Sequence, residues 1–151
     1  NTFDRSRILL GEGDSERGRA LVLAGTAQCI QCHQVGDQGK AVGPKLEGLA
    51  TKYKTKQEML EHLLQPSKTI TPEYRSISVL TVDGESLIGR LVRRSTAQLT
   101  LMLSDGSQRE LDLEEIEFEK ENELSLMPSG LLSSLTEQQA RDLLAFLMQL
   151  P

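Results

Sequence analysis

Tryptophan is absent from the 151 residues, and only Phe3, Phe118, Phe146, Tyr53 and Tyr74 are aromatic. A core so poor in large rings is aliphatic throughout or takes a flat apolar body from a cofactor. Cysteine is as scarce: two residues exclude a disulfide-rich scaffold. No apolar run approaches the roughly 20 residues that a membrane helix needs, so no transmembrane segment is expected. Polar low-complexity tracts are missing and 26% of residues are charged, a composition that excludes a disordered chain. Basic residues are in deficit, 17 against 22 acidic, and the net charge of −5 argues against a nucleic-acid partner. The length suits one domain, or one carrying an insertion. The chain begins at Asn1 rather than Met, which reads as a processed product or an excised piece.

Residues 1–13 form a short lead segment ending in glycines. Asp14 or Ser15 caps a predicted helix to about residue 24, with Ala20, Leu21 and Ala24 on one face. Residues 34–50 read as loop, with Gly36, Gly39, Gly43, Pro44 and Gly48. Thr55 and Glu58 form a capping box for a second helix with the stripe Met59, Leu60, Leu63 and Leu64, and Pro66 ends it. From Tyr74 the period falls to two. Ile77 and Val79 alternate with polar residues, Asp83-Gly84 is a hairpin turn, and 87–92 is a second strand. Ala97, Leu99, Leu101 and Leu103 alternate with Gln98, Thr100, Met102 and Ser104, predicting a strand with one buried face. After the turn Asp105-Gly106 come Leu111, Leu113, Ile116 and Phe118, with carboxylates between them on a solvent face. Thr136 and Gln139 cap a last helix, buried through Ala140, Leu143, Leu144, Leu147 and Leu150, with Phe146 beside them. The predicted fold class is mainly α with a small inserted antiparallel β-sheet (α+β). A helical domain over 14–71 and 122–151 is interrupted over 72–121 by a meander of four or five strands. That insertion holds six basic and eleven acidic residues, the rest eleven of each, so it carries the whole charge imbalance.

The two cysteines, Cys29 and Cys32, stand three apart, and His33 follows at once. This is the attachment signature of c-type haem. The spacing matches the two vinyl groups of a porphyrin, and the adjacent imidazole lies where it can bind iron. A redox dithiol usually accompanies a βαβ pattern, which is missing here. A zinc site wants four ligands, and Cys29, Cys32, His33 and His62 are the only cysteines and histidines. For a sixth iron ligand, His62 reads as a solvated surface histidine among Glu58, Glu61 and Gln65, and Met59 as core. Met102 lies on the polar phase of its strand, and Met148 near the chain end. Met127 sits in a loop, where Pro128 holds it extended. His/Met ligation leaves no open position and suits electron transfer without catalytic acid or base, hence a carrier rather than an enzyme. If Met127 did not bind, an open iron would suit a haem-based catalyst or a gas sensor.

Gly18-Arg19-Ala20-Leu21, Cys29-Ile30-Gln31-Cys32-His33, Gly43-Pro44-Lys45-Leu46, Met127-Pro128 and Asp142-Leu143-Leu144-Ala145-Phe146-Leu147 together resemble a class I cytochrome c. More narrowly, 14–150 is similar to the haem-binding modules at the C-terminus of large planctomycete and verrucomicrobial proteins. That likeness includes Gln65-Pro66-Ser67-Lys68, Thr81-Val82-Asp83-Gly84, Gly89-Arg90-Leu91-Val92 and Leu135-Thr136-Glu137-Gln138. The resemblance implies a class I cytochrome c fold carrying one haem c, with thioether bonds at Cys29 and Cys32. It makes His33 the proximal and Met127 the distal ligand, with the Pro44 carbonyl accepting from the other ring nitrogen of His33. It places a crossing of the first and last helices near Gly18 and Phe146, with Val22 where relatives often carry an aromatic residue. It also implies a periplasmic or otherwise exported protein, and electrons from a redox partner or a fused dehydrogenase-like domain. Lys40, Lys45, Lys52, Lys54 and Lys56 cluster after the motif, either as an ordinary solvated loop or as a docking surface for an acidic partner.

Overall fold

Side-chain caps start four of the five helices in the computed structural model, which describes residues 4–151. Residues 1–3 of the lead segment, Phe3 among them, lie outside the described residues. The rest of that lead is not a plain lead. Asp4 accepts from the N–H groups of Ser6 and Arg7 and opens α1 (Arg5–Leu10). Ile8 of α1 is only 1% exposed and belongs to the core. Six residues are too short to display a helical period, and α1 is held by packing on a helix at the far end of the chain.

Asp14 caps α2 (Ser15–Leu23) by accepting from Arg17 N–H. After the motif, where loop is predicted, β1 (Gln34–Val35) and β2 (Gln38–Gly39) pair antiparallel, and α3 (Leu49–Lys52) follows. Both predicted capping boxes form, Thr55 with Glu58 on α4 (Lys56–Leu64) and Thr136 with Gln139 on α5 (Glu137–Gln149). The helices enclose one aliphatic core. Val22 comes from α2, Met59, Leu60 and Leu63 from α4, and Leu143, Leu144 and Leu147 from α5. Helices α2 and α5 meet at Gly18, where a Cβ would stand 2.0 Å from the Asp142 carbonyl oxygen and 2.8 Å from Phe146 Cβ. Beside the crossing Asp142, 3% exposed, accepts from Asp14 N–H at 2.8 Å, from Arg17 Nε at 2.8 Å and Nη2 at 3.0 Å, and from Gln138.

Strands β3 (Ser76–Thr81), β4 (Ser86–Arg94), β5 (Gln98–Leu103), β6 (Gln108–Asp112) and β7 (Ile116–Glu121) form one antiparallel sheet in the order β6-β5-β4-β3-β7. Four strands make the predicted meander. The fifth departs from it: a turn at Leu113–Glu115 carries the chain to the far edge, where β7 pairs with β3. Both Asp-Gly turns form, with Gly84 and Gly106 at φ +87°. Ile77, Val79, Leu99, Leu101 and Leu111 make a second core, distinct from the helical one.

Two facing predictions fail. Met102, predicted on the polar face of β5, is 7% exposed, and Thr100 is buried with it. The reason is the pairing of Met102 with Arg90, whose side chain reaches the 41–42 loop, so this face is covered too. Phe118, predicted to point inward with Ile116, is 57% exposed. A bulge in the β3–β7 register sets Ile116 against Thr81 but Phe118 against Leu80, so the two rows point to opposite faces. The sheet begins and ends at one place: Asn122 N–H donates to the Ser76 carbonyl at 2.9 Å, and its side chain bonds Ser76 and Ser78.

Candidate haem site

Gln28, at φ +61°, turns the chain sharply after α2 into a single 3-10 turn at Cys29–Gln31. The N–H groups of Cys32 and His33 both donate to the Cys29 carbonyl, at 3.2 and 2.9 Å. One tight turn thus carries both thiols and the imidazole. Cys29 and Cys32 are half-buried and unpaired, and burial pushes both thiols up from their ordinary pKa.

His33 Nδ1 lies 2.6 Å from the Pro44 carbonyl oxygen, the contact that the resemblance implies. With Nδ1–H donating there, Nε2 keeps its lone pair for another partner. Burial lowers the pKa of His33, and the Pro44 bond works in the opposite sense. The neutral imidazole that burial favours is the metal-binding form. The loop closes on this residue without side chains. A Cβ on Gly43 would stand 2.6 Å from His33 Cε1, and Gly43 N–H donates to the Cys32 carbonyl at 2.7 Å. A Cβ on Gly39, at φ +93°, would stand 2.0 Å from the His33 carbonyl oxygen.

Two unpaired thiols, an imidazole with one nitrogen engaged and a glycine cradle against its ring form a donor set that fits a tethered porphyrin. A bare metal ion fares worse: among the described residues no three His, Cys, Asp or Glu side chains gather to hold one.

Met127 is half-buried and packs against the helical core, as Cys29 and Ile30 do. Its loop is pinned: Met127 N–H donates to Ser125 Oγ at 3.1 Å, and Ser125 N–H donates to Ser67 Oγ at 2.9 Å, just past α4. Met59 is core, as expected. His62 corrects the sequence reading. It is half-buried rather than solvated, its ring stacks on Tyr53 with centroids 4.4 Å apart, and Nδ1 is hydrogen-bonded to the Tyr53 hydroxyl at 3.0 Å. Burial pushes its pKa down as well. The partner comes from the segment before the capping box, so the helical face of α4 alone gave no sign of it. Of the five lysines, Lys52 bonds Thr71 and lies over the Tyr53 ring, while the stem of Lys40 lies beside Gly106.

Residues 15–75 match the family model described as cytochrome c. That likeness to a family of haem-binding electron-transfer domains covers less than half of the chain and ends where β3 begins. No curated protein matches the chain. Among the described residues no helix is long and apolar enough to cross a membrane.

Proposed function

We propose that this protein is an electron-transfer c-type cytochrome holding one haem through thioether bonds at Cys29 and Cys32. His33 Nε2 is the proximal ligand and Met127 Sδ the distal one. The observation that carries the reading is the single turn bearing all three motif side chains, with His33 Nδ1 fastened to Pro44. When bound, haem supplies a one-electron couple between ferrous and ferric iron. Pro44 fixes the tautomer and the plane of His33, and such a bond raises the basicity of the ligand. The Met127 thioether favours the ferrous state. The loop pinned at Ser125 would hold that thioether in place toward the iron. In this reading the chain acts as an electron carrier, a role that calls for no catalytic acid or base.

In this reading 14–71 and 122–151 form the haem unit, 72–121 is an insertion, and the lead segment 1–13 adds α1. The protein is exported, because haem attachment of this kind takes place outside the cytoplasm. Its electrons come from a redox partner or a fused dehydrogenase-like domain, as in the planctomycete and verrucomicrobial modules it resembles. Expression with haem-attachment machinery tests the whole reading. A red protein that keeps its haem through acid–acetone extraction is expected, and Cys32→Ser loses one thioether. The oxidised protein shows the long-wavelength band of methionine-bound ferric haem, absent in Met127→Ala. A colourless protein overturns the reading, and rapid carbon monoxide binding to the reduced protein overturns the Met127 assignment.

A further inference from the structure

We infer that Arg90, in the middle of the β-sheet, is a positioning residue for His33, an inference that rests on His33 being the proximal ligand. Its guanidinium forks onto the loop that precedes the Pro44 bond: Nε donates to the Val42 carbonyl at 2.8 Å and Nη2 to the Ala41 carbonyl at 2.9 Å. Gly43 and Pro44 follow directly, one touching the His33 ring and tied to the Cys32 carbonyl, the other accepting from Nδ1. A rigid planar fork on two successive carbonyls fixes both the position and the direction of a backbone segment, which a lysine cannot do.

Three further observations make the fork part of a built junction. The Tyr74 ring lies under the Arg90 guanidinium, 5.0 Å from its centroid, and holds it from the other side. Val42 is buried. The Lys40 stem packs beside Gly106 on the β5–β6 turn. The sheet therefore buttresses the loop that aims the imidazole. The strength and angle of Nδ1–H···O=C set how much electron density the ligand gives to iron. Arg90 thus acts on the redox couple from 48 residues away from the Val42 carbonyl it holds.

The test uses the haem-loaded chain with Arg90→Lys, Arg90→Ala and, as a control elsewhere on the sheet, Arg109→Ala, which removes only the pair with Glu85. Solvent exchange of His33 Nδ1–H, read by NMR in the reduced protein, is expected to quicken about tenfold in both Arg90 variants, the effect of losing one charge-assisted bond. The reduction potential rises in Arg90→Lys, which keeps the charge but loses the fork. Arg90→Ala also loses a positive charge, which pulls the potential down, so it ends below Arg90→Lys. Arg109→Ala moves neither quantity. A red parent protein whose Arg90 variants match Arg109→Ala in both readouts overturns this inference alone. A parent chain that binds no haem overturns the ligand reading, and this inference with it.

Discussion

Asp142 shows how much one side chain does at the closing contact of the helical unit. Four donors converge on its carboxylate, the Arg17 fork first among them, and hold its pKa down to about 2. A carboxyl whose pKa is lower in the folded chain than in the unfolded one stabilises the fold above the ordinary carboxylate range. That stabilisation is lost as the pH falls toward 2. The shift corresponds to about 2 kcal/mol, and in urea unfolding between about pH 5 and about pH 2 the parent chain should lose about that much more than Asp142→Asn does. Asp142→Asn should lose about as much at neutral pH and flatten the acid limb. At this scale the sequence was informative where chemistry is local. Cys29, Cys32 and His33 declare themselves by spacing, and Pro44 by likeness to a family. Arg90 and His62 do not, because the groups they meet lie in other elements and no local pattern points to them.

Among the elements, the crossing of α2 and α5 is the tightest. Gly18 lets two backbones touch, and any side chain there meets the Asp142 carbonyl, which has no rotamer with which to yield. Gly18→Ala should therefore cost about 3 kcal/mol, the upper end for overpacking, visible as a lowered thermal midpoint of the haem-loaded protein. Helices with capping boxes and strands joined by Asp-Gly turns were legible because each signal sits within a few residues. Short α1 was not, since α5, the helix it packs on, lies far along the chain. The return of β7 to β3 and the outward turn of Phe118 were not legible either. Both depend on a bulge in strand register, which alternation of residue types does not encode.

For the whole molecule, two separate cores and a sheet whose ends meet at Ser76 and Asn122 make the β unit removable on paper. Replacing 77–121 with two glycines should leave the helices folded and able to hold haem. It should also uncover Val42 and remove the Arg90 fork, a loss of about 3 kcal/mol by urea unfolding. Loss of helical circular dichroism at ambient temperature would show instead that the two units fold only together. The order of elements has a temporal meaning as well. Helix α5, which seals the core over α2, is the last element of the described chain, more than 100 residues after the Cys29 turn. During synthesis, therefore, both thiols emerge long before the interior can shut around them. A group to be joined to those sulfurs, as the proposed function requires, would meet them on open polypeptide before α5 closes the core.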